Sequence, residues 1–308
     1  MIGTSRRMFW PGLCLDLGRE DDAVVVAGAG RSGTSWICDV LNCRNEFRYI
    51  FEPLHPSVRA LSVFRHAYLP PDKRDPDRLR LMGDVLAGRF HNGWSDRLNR
   101  RRVAFRRLVK FIRANLLLPW IKANFPAVPI VLVLRHPCAV AVSRMNLGAE
   151  WTTSLDVVLS DETLVKDHLQ PFVEHMKGTR DEFERQIYFW CVQNYVPLRQ
   201  LSRREMHVVF YELLCTDPNR AMQDLFSWLG REVPPEASAQ LRMPSGTSRQ
   251  DSAVVLGKNL VEGWTEQIHA GQLDAAVGIL KIFGLDRIYG SGPLPDVAAW
   301  ETGSAQRS

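Results

Sequence analysis

The chain lacks an apolar run long enough to span a bilayer. The stretch "LVKFIRANLLLPWI" is interrupted by Lys110, Arg113, Asn115 and Pro119, whereas a spanning helix needs about 20 apolar residues. It also lacks cysteines at metal-ligand spacing. Cys14, Cys38, Cys43, Cys138, Cys191 and Cys215 are scattered, so they are expected to be reduced thiols packed as small apolar groups. Reduced thiols imply a reducing compartment, and the expected location is cytoplasmic. Repeats and low-complexity tracts are absent. So is a strong charge of one sign: a net +5 over 308 residues admits an anionic ligand without giving a nucleic-acid footprint. The N-terminal "SRRMFWPGLCLDLG" carries Pro11 and Asp16 within its apolar part and has no small-residue cleavage site. Residues 1–22 are therefore expected to be an arm packed on the domain.

What is present is an ordinary globular composition, 45% hydrophobic and 24% charged, with ample length for a core. Strand patterns fall at 23–29, 47–51, 106–111, 130–134 and 206–211. Helical patterns fall at 34–43, 114–124, 139–146, 181–202 and 212–229. Strands alternating with helices predict an α/β fold: a central, mainly parallel sheet flanked by helices, a three-layer sandwich of the P-loop NTPase kind. One domain is expected over 23–290, with excursions at 54–105 and 147–180 and a flexible Gly/Ser/Pro-rich tail over 291–308. The basic "RLNRRRVAFRRLVK" is expected to be a solvated helix face, and an anionic glycan or a membrane surface is the alternative contact for it.

The stretch "VVVAGAGRSGTSWICDVLN" carries the chemistry. A buried strand enters a Gly-rich turn and a helix leaves it. Gly28, Gly30 and Gly33 allow a close backbone approach to an anion. The N–H groups of Ser32, Gly33, Thr34 and Ser35 fall at a helix N-terminus, where the dipole favours negative charge. The hydroxyls of Ser32, Thr34 and Ser35 add donors. The Gly-Lys-Ser/Thr ending of nucleotide triphosphatases is missing, and the strand at 130–134 runs into Arg135 instead of an Asp. The expected ligand is thus a phosphate-like anion that needs no metal. Ligands of parallel sheets sit at the carboxyl ends of the strands, which places this loop and Arg135 on one rim.

"GAGRSGTSW" resembles the 5′-phosphosulfate loop of sulfotransferases that use 3′-phosphoadenosine 5′-phosphosulfate (PAPS). "LRHPCAVAVSRM" resembles their 3′-phosphate motif, with Ser143 eight residues after Arg135. "VVFYELLCTDPNRAMQDLFSWLG" is similar to the family's Tyr-Glu segment, and "GKNLVEGW" weakly resembles the late region that closes over the nucleotide. The resemblance runs from 23 to about 265. It implies PAPS as co-substrate, adenosine 3′,5′-bisphosphate as product, no metal, and an acceptor hydroxyl. Trp36 and Tyr211 are implied near adenine, with a core role as the alternative for each. Lys258 is implied at the 3′-phosphate, with Arg249 as rival.

For the chemistry, the resemblance implies Arg31 where cytosolic members carry a Lys, and Lys110 facing the sulfuryl group. Ile112 stands where those members carry a catalytic His. Glu52, twenty-one residues after Arg31 in "YIFEPLHP", is similar to the "EP" of carbohydrate (Golgi-type) sulfotransferases and to the catalytic Glu of tyrosylprotein sulfotransferases. It is implied as general base, with capping of the turn before Pro53 as the alternative role and His55 as the alternative base. A hydroxyl of a carbohydrate or glycolipid is the expected acceptor. A P-loop kinase with a degenerate loop and an inactive nucleotide-binding module are the competing readings.

Overall fold

The computed structural model describes residues 14–148, 155–247 and 259–300. Five strands form one parallel sheet: β2 (Ala23–Gly28), β3 (Arg48–Phe51), β5 (Arg107–Phe111), β6 (Ile130–Leu134) and β7 (Met206–Phe210). Their order is β3-β5-β2-β6-β7. A separate parallel pair joins β1 (Leu15–Asp16) to β4 (Val103–Ala104). Every residue of β2, β3, β5 and β6 is buried, as a sheet covered on both faces requires.

The alternation along the strands divides the core in two. Val25, Ala27, Val109, Phe111, Ile130 and Leu132 pack on one side. That face is covered by α2 (Pro76–Leu86), α3 (Leu118–Asn124), α4 (Pro137–Met145), α8 (Glu182–Gln200) and α12 (Ala270–Phe283). Val24, Val26, Leu108, Val131 and Val133 pack on the other, under α1 (Thr34–Leu41), α10 (Pro218–Trp228) and α11 (Pro235–Leu241). Short helices α5 (Leu155–Leu159), α6 (Glu162–Leu164) and α7 (Val173–Gly178) lie in the second excursion, and α9 (Tyr211–Thr216) follows β7. The predicted three-layer α/β sandwich is the observed one.

Three local expectations need correction. The helix expected over 212–229 breaks into α9 and α10, because Asp217 caps the Arg220 N–H at 3.3 Å and Pro218 opens the second helix. The basic stretch is no helix face. It enters β4 and β5, and Arg107 is fully buried, its Nε donating to the Leu86 carbonyl at 2.9 Å. The tail expected to be flexible from 291 is anchored at one point where it is described: Leu294 is 49% exposed, but Trp300 is 6% exposed and joins the core.

One buried network positions the first excursion. Arg48, at the start of β3, donates to Asp96 Oδ1 through Nη2 at 2.7 Å, to the Phe90 carbonyl at 3.0 Å, and to Asp16 of the arm. Removing one partner from such a pair strands a buried charge, at a cost of roughly 3–5 kcal/mol. The arm and the loop at 88–97 are thereby fixed to β3, whose other end carries Glu52.

Candidate active site

The carboxyl ends of all five sheet strands open into one cleft of about 490 Å³. Gly30 to Trp36 follow β2, Glu52 follows β3, Lys110 ends β5, Arg135 follows β6 and Tyr211 follows β7. The parallel register does the gathering. Lys110 lies opposite both Phe51 and Val26, and the Glu52 N–H donates to the Lys110 carbonyl at 3.0 Å.

The Gly-rich turn is held in a shape few residues tolerate. Arg31 has φ +82 and Gly33 has φ +94, both left-handed. A Cβ on Gly33 would lie 2.5 Å from the Tyr211 ring, so glycine is required there twice over. Helix α1 starts at Thr34 with no side-chain cap. Its first N–H groups therefore present donors and the positive end of the dipole beside Gly33, Thr34 and Ser35 on the cleft wall. Ser32 departs from expectation. It is fully buried, and both its N–H and its hydroxyl donate to the Ala29 carbonyl. Turn geometry thus takes the donors that were assigned to the ligand.

The second half of the cradle comes from β6 and α4. Arg31 Nε donates to Ser143 Oγ at 3.0 Å, joining the loop to α4. Arg135 reaches across with Nη1 to the Arg31 carbonyl at 3.1 Å and Nη2 to the Leu260 carbonyl at 3.2 Å, and its Nε is buried without a partner. Its guanidinium lies 4.3 Å from the Tyr211 ring centroid. Burial pushes the Tyr211 phenol up to about 12 despite the lowering pull of Arg135. Trp36 lines the same end, tilted against Tyr211 at 5.5 Å, with its Nε1 on the Leu241 carbonyl. Lys258 and Arg249 lie outside the described residues.

The reacting end is built around Glu52. Its residue is 8% exposed and its backbone sits at φ +43. Oε1 accepts from Lys110 Nζ at 2.6 Å. Oε2 makes a longer ion pair with Arg113 Nη1, at 3.6 Å. Burial holds the Lys110 ammonium below its ordinary range, and Glu52 pulls it back up. His55 also lines the cleft, stacked on Trp94 at 3.6 Å. Burial, then Arg113, push its imidazole down to about 4, so it is neutral at pH 7.

Sequence reasoning missed the supports. Arg144 is fully enclosed and, among the described residues, has no carboxylate as a hydrogen-bond partner: Nε holds the Gly30 carbonyl at 3.2 Å, and its terminal nitrogens hold Gln186 and Gln193. Burial and the neighbouring Arg113 and Arg31 push it down to about 9. Glu212 accepts from the His136 N–H at 2.7 Å and from the Tyr289 hydroxyl at 2.8 Å, fixing the chain where β6 becomes α4. His136 caps α4 through Nδ1, with Nε2 on the Gly290 carbonyl. The adjacency of Arg144 to Ser143, and of Glu212 to Tyr211, was the available signal.

Residues 21–245, well over half of the chain, match the sulfotransferase domain. The chain belongs to the sulfotransferase family. Solved structures that resemble this sulfotransferase include the sulfotransferase domain of the Synechococcus PCC 7002 olefin synthase, with 14% identity, 85% of this chain and 94% of that one covered, and a TM-score of 0.47. Mouse sulfotransferase SULT7A1, solved with PAP, shows 12% identity, coverage of 92% and 90%, and a TM-score of 0.49. Retinol dehydratase, solved with androsterone and inactive cofactor PAP, shows 17% identity, coverage of 85% and 80%, and a TM-score of 0.43. Comparison with curated proteins gives no match. Among the described residues, no helix is long and apolar enough to cross a membrane.

Proposed function

We propose that this sulfotransferase moves a sulfuryl group from PAPS to a hydroxyl of a carbohydrate or glycolipid, with Glu52 as general base. The observation that carries the reading is the convergence at one cleft of an uncapped helix N-terminus, the Arg31–Ser143 bridge and the Glu52–Lys110 pair 2.6 Å apart. The residues fit the nucleotide. A glycine cradle that a Cβ would fill suits the 5′-phosphosulfate, and Arg135, with its buried Nε unpaired, suits a terminal phosphate beside Ser143. Trp36 and Tyr211 flank the place for adenine.

PAPS supplies the activated sulfuryl group, and the chain's own residues do the rest. As the acceptor oxygen bonds to sulfur, its proton passes to Glu52. Lys110 occupies one lone pair of Oε1, and Oε2, held only by the longer 3.6 Å ion pair to Arg113 among the described residues, keeps lone pairs for the proton. The bond from sulfur to the 5′-phosphate breaks, and its electrons stay on that phosphate. The α1 N–H groups and Arg31 face that charge. Lys110, with two further N–H donors, meets the sulfuryl oxygens. All six cysteines are unpaired, which supports a reducing, cytoplasmic setting.

Differential scanning fluorimetry with adenosine 3′,5′-bisphosphate against ATP and magnesium tests the nucleotide. Stabilisation by the bisphosphate is expected, and stabilisation by ATP alone would overturn the reading. Transfer of ³⁵S from labelled PAPS onto neutral and acidic glycans and glycolipids tests the acceptor.

A further inference from the structure

The cleft wall carries Arg31, Arg97, Lys110, Arg113 and Arg135, and among the described residues Glu52 is the one carboxylate facing them. Arg31 and Arg135 belong to the nucleotide end, and Lys110 is paired with Glu52. Arg113 makes a longer ion pair with the other oxygen of Glu52, at 3.6 Å, which leaves Arg97, among the described residues, without a carboxylate, on the side where the acceptor hydroxyl must arrive.

Arg97 is set in an unusual way. Its guanidinium carbon lies over the Trp94 ring, 3.5 Å from the centroid, and 4.3 Å from the Phe51 centroid. The opposite face of Trp94 is covered by His55, stacked at 3.6 Å and 17°. Trp94 is therefore a spacer between two planar groups, with no face left for a sugar ring. A stacked guanidinium keeps its in-plane N–H donors available. Among the described residues, none accepts a hydrogen bond from the Arg97 side chain, although Arg97 is exposed at the cleft rim.

The mounting is rigid. Asp96 accepts from Arg48 and from the Asn92 N–H, the Trp94 N–H donates to Asn92 Oδ1, and the Phe51 N–H donates to the Ser95 carbonyl. Arg113 is close enough to His55 to push its imidazole down, and its Nη1, buried and ion-paired at 3.6 Å with Glu52 Oε2, donates no hydrogen bond among the described residues. Arg65 gives Nε and Nη2 to the Leu54 and His55 carbonyls and does not line the cleft.

We propose that Arg97, aided by Arg113, binds an oxyanion carried by the acceptor, so that the substrate is an acidic hydroxyl compound such as a sugar bearing a carboxylate, phosphate or sulfate. This rests on the sulfotransferase reading of the same cleft. A surplus of fixed cations raises the local concentration of an anionic acceptor and orients it by a planar two-point contact. A neutral acceptor would leave the Arg97 guanidinium without an anionic partner.

The test uses the full chain with PAPS and four matched sugars: p-nitrophenyl β-D-glucoside, the corresponding glucuronide, and the glucoside 6-phosphate and 6-sulfate. At least one anionic member should exceed the neutral glucoside in kcat/KM by roughly tenfold to a hundredfold, the range of one charged hydrogen bond. The difference should lie mainly in KM. Comparison of the three anionic arms identifies which oxyanion is read. Arg97→Gln should bring the ratio close to one, and Arg97→Lys, which keeps charge without the planar fork, should leave it intermediate. Both variants should retain the thermal shift with adenosine 3′,5′-bisphosphate, which reports an intact fold. Equal turnover of neutral and anionic sugars, no response to any anionic sugar, or a preference that survives Arg97→Gln would overturn the inference while the bisphosphate shift stands. Loss of that shift in the wild-type chain would overturn the sulfotransferase reading, and this inference with it.

Discussion

Replacing Glu52 by Gln separates two roles that one carboxylate holds. The Lys110 side chain is 3% exposed and that of Glu52 is 10% exposed, with 2.6 Å between the charged atoms. Removing one member of such a pair costs roughly 3–5 kcal/mol. The amide oxygen of Gln still accepts from Lys110, and Phe51 keeps its ring 4.3 Å from Nζ, so the low end, about 3 kcal/mol, is expected. At roughly 2–4 °C per kcal/mol for a chain of this order, Tm should fall by about 6–12 °C. The double variant Glu52→Gln/Lys110→Met removes both charges of the short pair and fills the site with an unbranched apolar chain, so part of the loss should return, the remainder reflecting Arg113 left without its carboxylate. Turnover should not return: Glu52→Gln should lose roughly 10²–10⁴-fold through the missing base, and the double variant at least as much. Scanning fluorimetry reads the first effect, and ³⁵S transfer reads the second. A double variant no more stable than the single one would refute the coupling. A single variant with wild-type turnover would remove Glu52 from proton transfer.

Gly33→Ala should cost about 1–2 kcal/mol for the left-handed backbone alone, displace Tyr211, and reduce the thermal shift given by adenosine 3′,5′-bisphosphate; an unchanged shift would count against the cradle. Arg135→Met should weaken adenosine 3′,5′-bisphosphate by roughly 10–100-fold and AMP far less in isothermal titration, because only the former has a 3′-phosphate. His136 is 1% exposed, and burial pushes it from 6.5 to about 4. Its folded pKa is depressed, so its contribution is fully present above pH 6.5 and is lost as pH falls toward 4, an effect of about 3 kcal/mol. Urea midpoints measured from pH 7.5 to 4.5 should fall more steeply in the wild type than in His136→Gln, and parallel curves would contradict this.

The parts of the site that were legible in the sequence are those written locally. Strands β2 and β6 are short β-branched runs buried on both faces. The cradle is Gly, Ser and Thr in one loop, and Arg135 and Ser143 are separated by two helical turns. Illegible parts depend on partners far along the chain. Arg97 reaches the cleft only because Arg48 and Asp96, forty-eight residues apart, pin its loop to β3. Burial of Arg107 depends on backbone carbonyls of Leu86 and Phe105, which no side-chain pattern advertises. Ser32 looked like a ligand donor because its turn was not known to close on Ala29. The break before α10 was readable after all: Asp217-Pro218 is a cap followed by a first-turn proline.

The same distance argument explains how the cleft sustains its charge. Among the described residues, five cations and a helix N-terminus face one carboxylate there, an arrangement that repels itself without an anion. Carboxylates that would neutralise it are set back from the cleft and already committed. Glu212 is spent on His136 and Tyr289, and Asp96 and Asp16 on Arg48. Arg144, deeper still, is given only neutral acceptors, so its charge adds to the field at the loop instead of cancelling within a pair. The fold thus uses its acids to hold the walls and leaves the cavity positive. Binding of anionic groups then relieves a cost built into the folded state, which is how a chain with a net charge of only +5 concentrates its electrostatics at one end of the sheet.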